Sequence, residues 1–232
     1  MLEVIAFDLD DTLYPEKEYV LSGFRSVAEL VRRRFKVDDF YLELVKTFNG
    51  GERKKTFDAT LERLGIEYDE TLIQDLIRHY RAHFPDIKLF DDAVLTLQRL
   101  KKKHHLALIT DGYLQAQRNK VRALNIERFF EKIIYTDQYG KEYWKPSRFP
   151  FQMVMEYFSV EGNECAYVGD NMEKDFIGPN RLGWLTVQIE RKEGQYYEDV
   201  SANDNCSPQV SIDSLANLEE VLGERSSRHD DQ

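Results

Sequence analysis

Short runs of consecutive apolar residues alternate with helical patterns over most of the chain. Such runs are typical of strands that are buried on both faces of a sheet. They predict strands at Val4–Phe7, Leu106–Ile109, Ile133–Tyr135, Ala166–Val168, Leu185–Ile189 and Val210–Ile212. Between these runs, apolar residues recur every three or four positions, as in Ala93, Val94, Leu97 and Leu100. Buried strands separated by helices indicate an α/β protein with a parallel sheet.

One region breaks this alternation. From Pro15 to about Phe84 the apolar residues follow only helical spacing, in four stripes. The stripes lie within 24–35, 41–48, 57–64 and 72–80. They predict a small bundle of four amphipathic helices, inserted between the first and second strands of the sheet.

The pattern divides the chain into a core domain, residues 1–14 and 86–225, and an inserted helical domain, residues 15–85. Residues 226–232 are polar and charged, which predicts a disordered tail. Residues 194–208 are also polar and are predicted to form a loop.

Composition narrows the possible functions. The 232 residues are 42% hydrophobic, which is enough for a core, and for either one large domain or a domain with a smaller second one. The net charge of −10 argues against nucleic-acid binding by charge, so any anionic ligand needs local donors or a metal. The chain has only two cysteines, Cys165 and Cys206, and their spacing fits neither a disulfide framework nor a metal site. With no signal-peptide pattern and no run long enough to span a membrane, we expect a soluble, cytoplasmic protein.

Two carboxylates directly follow the first predicted strand. Asp8 and Asp10 are two residues apart, so in an extended chain their side chains point to the same side. Like charges at that distance repel unless a cation or a shared proton relieves them. A divalent metal or acid–base chemistry would explain the pair. Alternatively, Asp10, Asp11 and Thr12 cap a following turn or helix.

Other polar residues follow the later strands. They are Thr110 and Asp111, Lys141 and Lys145, and Asp170, Asn171 and Asp175. Parallel sheets bind ligands at the carboxyl ends of their strands, so these residues are expected to converge. Carboxylates, a hydroxyl and an ammonium suit Mg²⁺-assisted phosphoryl transfer. Singly, Thr110 is equally consistent with a helix cap, Lys145 with a surface lysine and Gly169–Asn171 with a turn.

Taken in order, these segments resemble the four motifs of the haloacid dehalogenase superfamily. Asp8–Thr12 resembles the first motif, DxDxT, and Leu108–Thr110 resembles the second, which is apolar residues ending in Thr or Ser. Lys145 before Pro146 resembles the third, and Val168–Asp175 contains the fourth, GDxxxxD. The resemblance covers residues 4 to about 189. It implies a Rossmann-like sheet core with the helical insertion as a cap over the active site.

The resemblance also implies a role for each matching residue. Asp8 would be the nucleophile that takes the phosphoryl group as an aspartyl-phosphate. Asp10 would protonate the leaving alcohol and then activate water. The dehalogenases of the family, which attack carbon, lack a second aspartate at this position. Mg²⁺ would be held by Asp8, Asp170 and the main-chain carbonyl of Asp10.

The remaining motif residues would handle the phosphate and orient the metal site. Thr110, Asp111 and Lys145 would bind the substrate phosphate, and Lys145 would also offset the charge of Asp8. Lys141 fits that role less well, because no proline follows it. Asn171 would orient the metal ligands, and Asp175 would either support those ligands or lie next to the metal.

We therefore predict a Mg²⁺-dependent phosphatase that acts on a small phosphorylated metabolite, such as a sugar phosphate, a sugar-acid phosphate or a nucleotide. Tyr14, Tyr19 and Arg25 are candidates for cap contacts with substrate, or are ordinary packing residues. No nucleic-acid or membrane partner is expected. The alternatives are a phosphomutase of the same superfamily, a receiver-type signalling module and a non-catalytic phospho-ligand binding protein.

Overall fold

A parallel sheet of six strands forms the centre of the main domain. The computed structural model describes residues 1–191 and 207–228. The strands are β1 (Val4–Phe7), β2 (His105–Thr110), β3 (Lys132–Tyr135), β4 (Cys165–Gly169), β5 (Leu185–Ile189) and β6 (Val210–Ile212). Their order is β3-β2-β1-β4-β5-β6, and each neighbouring pair is parallel. The predicted α/β class is therefore confirmed.

Helices connect these strands and form the inserted region. They are α1 (Glu16–Phe35), α2 (Phe40–Asn49), α3 (Thr56–Arg63), α4 (Glu70–Ala82), α5 (Asp91–Leu100), α6 (Leu114–Ala123), α7 (Phe149–Phe158), α8 (Ile177–Asn180) and α9 (Leu218–Arg228). Residues 226–228, which the sequence predicts as tail, therefore continue α9. The rest of that tail, and residues 194–206 of the predicted loop, lie outside the described residues.

The chain divides into two compact units. One contains Met1–Glu16 with Lys88–Gln232, and the other contains Lys17–Ile87. In the first unit, apolar side chains of β1, β2, β4 and α7 form a core in which Phe151 packs edge-on against Tyr167 and Trp184. In the second unit, the apolar stripes of α1 to α4 pack around residues such as Phe24 and Leu61.

The sheet order determines where the motif residues lie. Strand β1 lies between β2 and β4, and all three run in the same direction. Their carboxyl ends therefore meet at one edge of the sheet, where a parallel sheet leaves a crevice for ligands. Most residues that the sequence predicts as the site follow these three strands, whereas Lys141 and Lys145 follow β3.

Candidate active site

A cavity of about 300 Å³ opens at this edge of the sheet. It is lined by Asp8, Asp10, Asp11, Glu16, Asp111, Gly112, Trp144, Lys145, Asp170 and Lys174. All ten residues belong to the α/β unit. Six of them are carboxylates, so the cavity can hold a phosphorylated ligand only with help from cations.

Lys145 is the centre of a buried charge cluster. Its Nζ lies 2.6 Å from Asp8 Oδ1 and 2.7 Å from Asp175 Oδ1, and it donates to the Tyr167 hydroxyl at 2.9 Å. The Lys145 side chain is completely buried. Burial opposes its positive charge, but the two carboxylates outweigh that cost and raise the pKa of Lys145 well above its ordinary value. One ammonium thus forms ion pairs with two carboxylates.

Lys141, the alternative lysine, lies elsewhere. It is exposed, and its Nζ lies 5.3 Å from the ring centre of Tyr113 and 6.0 Å from that of Trp144. The cation is therefore placed over aromatic faces. Of the two lysines, the structure brings Lys145 to Asp8.

Asp8, Asp170 and Asp175 form a buried acidic trio. Each offers one carboxylate oxygen, and the three oxygens lie within 4.8 Å of one another. Burial raises the pKa of Asp8 to about 6, even though the charge of Lys145 opposes that shift. Burial, together with the charges of Asp175 and Asp8, also raises the pKa of Asp170 well above its ordinary value. This excess of negative charge, offered by hard oxygen ligands, fits a divalent cation.

The turn after β4 holds Asp175 in place. Its Oδ2 accepts a hydrogen bond from the Asn171 main-chain N–H at 2.9 Å, and Lys145 is bound to its Oδ1. A Cβ on Gly169 would lie 2.5 Å from Asp175 Oδ2, so the glycine leaves room for that carboxylate. Burial disfavours the charge, but Lys145 and Lys174 lower the pKa of Asp175.

Asp10 is held by three donors that the sequence analysis did not assign to it. Lys120 Nζ lies 2.6 Å from Asp10 Oδ1, and Gln117 Nε2 lies 2.9 Å from Oδ2. The Tyr14 hydroxyl also donates to Oδ1. Burial alone would raise the pKa of Asp10, but the charge of Lys120 and these hydrogen bonds lower it. The pKa values of Asp8 and Asp10 are therefore shifted in opposite directions, although each carboxylate is paired with a lysine.

The structure places Thr110, which ends the second motif, and Asp111, which follows it, in different surroundings. Thr110 is completely buried and is not one of the cavity-lining residues in the part of the chain that the structure describes. Its hydroxyl accepts from Gln117 Nε2. Asp111 lines the cavity, but its Oδ1 accepts from the Thr136 hydroxyl at 2.7 Å and the Lys145 N–H at 3.3 Å. The Asp111 carboxylate thus holds neighbouring loops and cannot donate to a phosphate.

Lys174 is a second lysine in the cavity, and the sequence analysis missed it. It is half-buried, and over residues 1–191 and 207–228 its ammonium has no ion pair or side-chain hydrogen bond. Glu16, at the start of α1, also lines the cavity; its burial and the charge of Asp10 raise its pKa to about 7. The only sequence signal for Lys174 was its position inside the GDxxxxD motif.

The predicted cap contacts fall in different units. Tyr14 belongs to the α/β unit and contacts Asp10. Tyr19 belongs to the helical unit, where its ring lies 5.4 Å from Tyr80 and 4.9 Å from His83. Arg25 belongs to the same unit and is exposed. Their contacts with substrate stay predictions.

The family of the chain follows from comparison with known proteins. Residues 5–189 match the model of the haloacid dehalogenase-like hydrolases, and this match spans all four motifs. The chain belongs to this family. The predicted resemblance and the prediction of a hydrolase are therefore confirmed.

Similar proteins agree with this assignment. The chain is 30% identical to the glyceraldehyde 3-phosphate phosphatase of Methanopyrus kandleri, over 97% of this chain and 98% of that protein. It is 23% identical to the pyrophosphatase PpaX of Bacillus cereus, over 96% and 97%. The crystal structure of the magnesium-bound HAD-hydrolase YfnB of Bacillus subtilis has the same fold, with a TM-score of 0.66, 20% identity and coverage of 95% and 98%. Among the described residues, none of the helices has the length and apolar character needed to cross a membrane.

Proposed function

We propose that this hydrolase is a Mg²⁺-dependent phosphatase that forms an aspartyl-phosphate on Asp8. The observation that carries the proposal is the pairing of Asp8 with Lys145 Nζ at 2.6 Å, beside the acidic trio in the cavity. A carboxylate that attacks a phosphate dianion meets electrostatic repulsion, and a fixed ammonium next to the attacking oxygen lowers it. A lysine that bridges two carboxylates also fixes the orientation of the nucleophile.

Two steps share the same residues. In the first, an Asp8 oxygen bonds to phosphorus, the bond from phosphorus to the leaving oxygen breaks, and that oxygen keeps the electron pair and takes a proton from Asp10. In the second, Asp10 takes a proton from water, whose oxygen bonds to phosphorus and releases Asp8. The lowered pKa of Asp10 favours its ionised form, which is the form that accepts a proton in the second step. Its role as acid in the first step requires that it be protonated while substrate is bound.

Asp8 and Asp170, with the main-chain carbonyl of Asp10, are the proposed metal ligands. When bound, Mg²⁺ supplies positive charge that offsets the carboxylates and the phosphoryl oxygens. Asp175 is proposed to orient Lys145 as well as to lie near the metal, since its Oδ1 accepts a hydrogen bond from the Lys145 ammonium at 2.7 Å. The proposed phosphate donors are the Thr110 hydroxyl, the Asp111 main-chain N–H, Lys145 and Lys174.

The substrate is proposed to be a small phosphorylated metabolite. A cavity of about 300 Å³ suits a compact ligand. The relative from Methanopyrus kandleri, which is aligned over nearly its whole length, makes a triose phosphate the first candidate. In this proposal the helical unit, residues 17–87, is the cap. Tyr19 and Arg25 are its candidate residues for determining substrate specificity.

The test is release of inorganic phosphate from a panel of compounds. The panel contains glyceraldehyde 3-phosphate, phosphoglycolate, a hexose phosphate, a nucleoside monophosphate, pyrophosphate and p-nitrophenyl phosphate, each with Mg²⁺ and with EDTA. We expect release that depends on Mg²⁺, that is lost in Asp170→Asn and that persists in Asp91→Asn, a matched change at an exposed aspartate. No release from any compound with Mg²⁺ would contradict the proposal. Conversion of a sugar phosphate to its isomer without release would favour the phosphomutase.

A further inference from the structure

Helix α6 directs two polar side chains at Asp10. Gln117 and Lys120 are three positions apart and therefore lie on the same face of the helix. They are 1% and 4% exposed, respectively, and they bind opposite oxygens of the Asp10 carboxylate, Gln117 to Oδ2 and Lys120 to Oδ1. Burying an ammonium is costly unless a carboxylate pairs with it, and Asp10 is the carboxylate that pairs with Lys120.

We propose that Lys120 and Gln117 are positioning residues that hold the Asp10 carboxyl in place for proton transfer to the leaving group. The inference rests on the proposed phosphatase function and deepens it, because it names the residues on which the acid depends. Neither residue is part of the four motifs that the sequence analysis used.

The contacts distinguish the two oxygens of Asp10. Oδ1 accepts from two donors, the Lys120 ammonium and the Tyr14 hydroxyl. Oδ2 accepts only from Gln117 among the described contacts. An oxygen with fewer hydrogen bonds keeps a lone pair available, so Oδ2 is the oxygen that carries the proton of the acid. Lys120 thereby selects which oxygen serves the leaving group.

Gln117 links this acid to the second motif. Its amide nitrogen donates to Asp10 Oδ2 and to the Thr110 hydroxyl. A hydroxyl that accepts such a bond still has its own hydrogen to donate, and the proposed recipient is a phosphoryl oxygen. One buried amide thus fixes the spacing between the acid and a proposed phosphate donor.

The leaving group provides a way to isolate this role. When the bond from phosphorus to the leaving oxygen breaks, a sugar alkoxide needs the proton of Asp10, because it is a strong base. A p-nitrophenolate is a weak base and departs without that proton. The ratio kcat/KM reports the steps up to and including this departure, so a misplaced acid lowers kcat/KM for the alkyl phosphate selectively.

The experiment compares kcat/KM for p-nitrophenyl phosphate and for the best alkyl phosphate of the panel above. For Lys120→Met we expect a fall of about 100-fold on the alkyl phosphate and of less than about 5-fold on p-nitrophenyl phosphate. Gln117→Met is expected to show the same selectivity, with a fall of about 10-fold on the alkyl phosphate. Lys120→Arg, which keeps the cation, should recover part of the loss.

Arg122→Met is the control, because Arg122 is exposed on the same helix. Arg122→Met should leave kcat/KM unchanged for both the alkyl phosphate and p-nitrophenyl phosphate. Equal falls on both substrates in Lys120→Met and Gln117→Met would overturn the inference. If Lys120→Met does not fold, Gln117→Met alone decides. A wild-type protein that releases phosphate from neither substrate would instead refute the phosphatase function itself.

Discussion

Removal of the Lys145 ammonium should destabilise the α/β unit strongly. In the wild type this group lies within 2.7 Å of both Asp8 and Asp175, and all three side chains are buried. Lys145→Met leaves two carboxylates without their cation. Breaking a buried ion pair in this way costs about 3 to 5 kcal/mol.

Linkage gives a similar magnitude. Burial already raises the pKa of Asp8 to about 6 despite Lys145, so the variant raises it further, and that of Asp175 with it. An increase of one unit in each corresponds to about 2.7 kcal/mol at a pH above both values. A carboxyl whose pKa is raised by folding holds its proton better in the folded state. Stability is therefore lost as the pH rises, and the defect should be larger at pH 8 than at pH 5.

The assay is urea unfolding followed by tryptophan fluorescence, in EDTA, at both pH values. The protein has two tryptophans, Trp144 and Trp184, and both belong to the α/β unit. The control is Lys102→Met, a change at an exposed lysine, which should shift the free energy of unfolding by less than about 0.5 kcal/mol. A Lys145→Met protein as stable as the wild type at pH 8 would refute the reasoning.

Three further predictions concern other parts of the α/β unit. Gly169→Ala places a Cβ 2.5 Å from Asp175 Oδ2, so we expect a loss of about 1 to 3 kcal/mol and a lower kcat, measured by urea unfolding and phosphate release. Burial alone would raise the pKa of Asp92, but Arg191 lowers it. Asp92→Asn should therefore reduce the free energy of unfolding by about 1 to 2 kcal/mol at pH 7. Urea titrations should show that this difference shrinks below pH 3.8, where the wild-type carboxylate takes up its proton. Burial raises the pKa of Cys165 to about 12; peptide mass spectrometry should find it alkylated by iodoacetamide only after unfolding.

Strand positions could be predicted from the sequence because buried parallel strands are apolar throughout. Val4–Phe7 and Leu185–Ile189 have the predicted bounds, and β2, β3 and β4 extend the prediction by one residue at one or both ends. The order of the strands in the sheet determines where the residues that directly follow each strand lie. This is why the sequence alone predicts that Asp8 and Asp170 lie near each other.

The partners of Asp10 could not be predicted in the same way. Gln117 and Lys120 lie on a helix, and which face of α6 turns towards β1 depends on packing that sequence spacing does not reveal. A lysine on a polar helix is usually exposed, yet Lys120 is 4% exposed. For Thr110, the sequence predicted the position in the motif but did not predict the hydrogen bond from Gln117.

The most direct test of the account is whether Asp8 carries the phosphoryl group. In Asp10→Asn, p-nitrophenyl phosphate needs no acid for the first step, and the second step lacks its base. We expect a burst of p-nitrophenol equal to the amount of enzyme. Borohydride reduction after acid quenching should then convert residue 8 to homoserine, as detected by peptide mass spectrometry. A burst with residue 8 unmodified, or modification of a different residue, would contradict the assignment of Asp8 as the nucleophile.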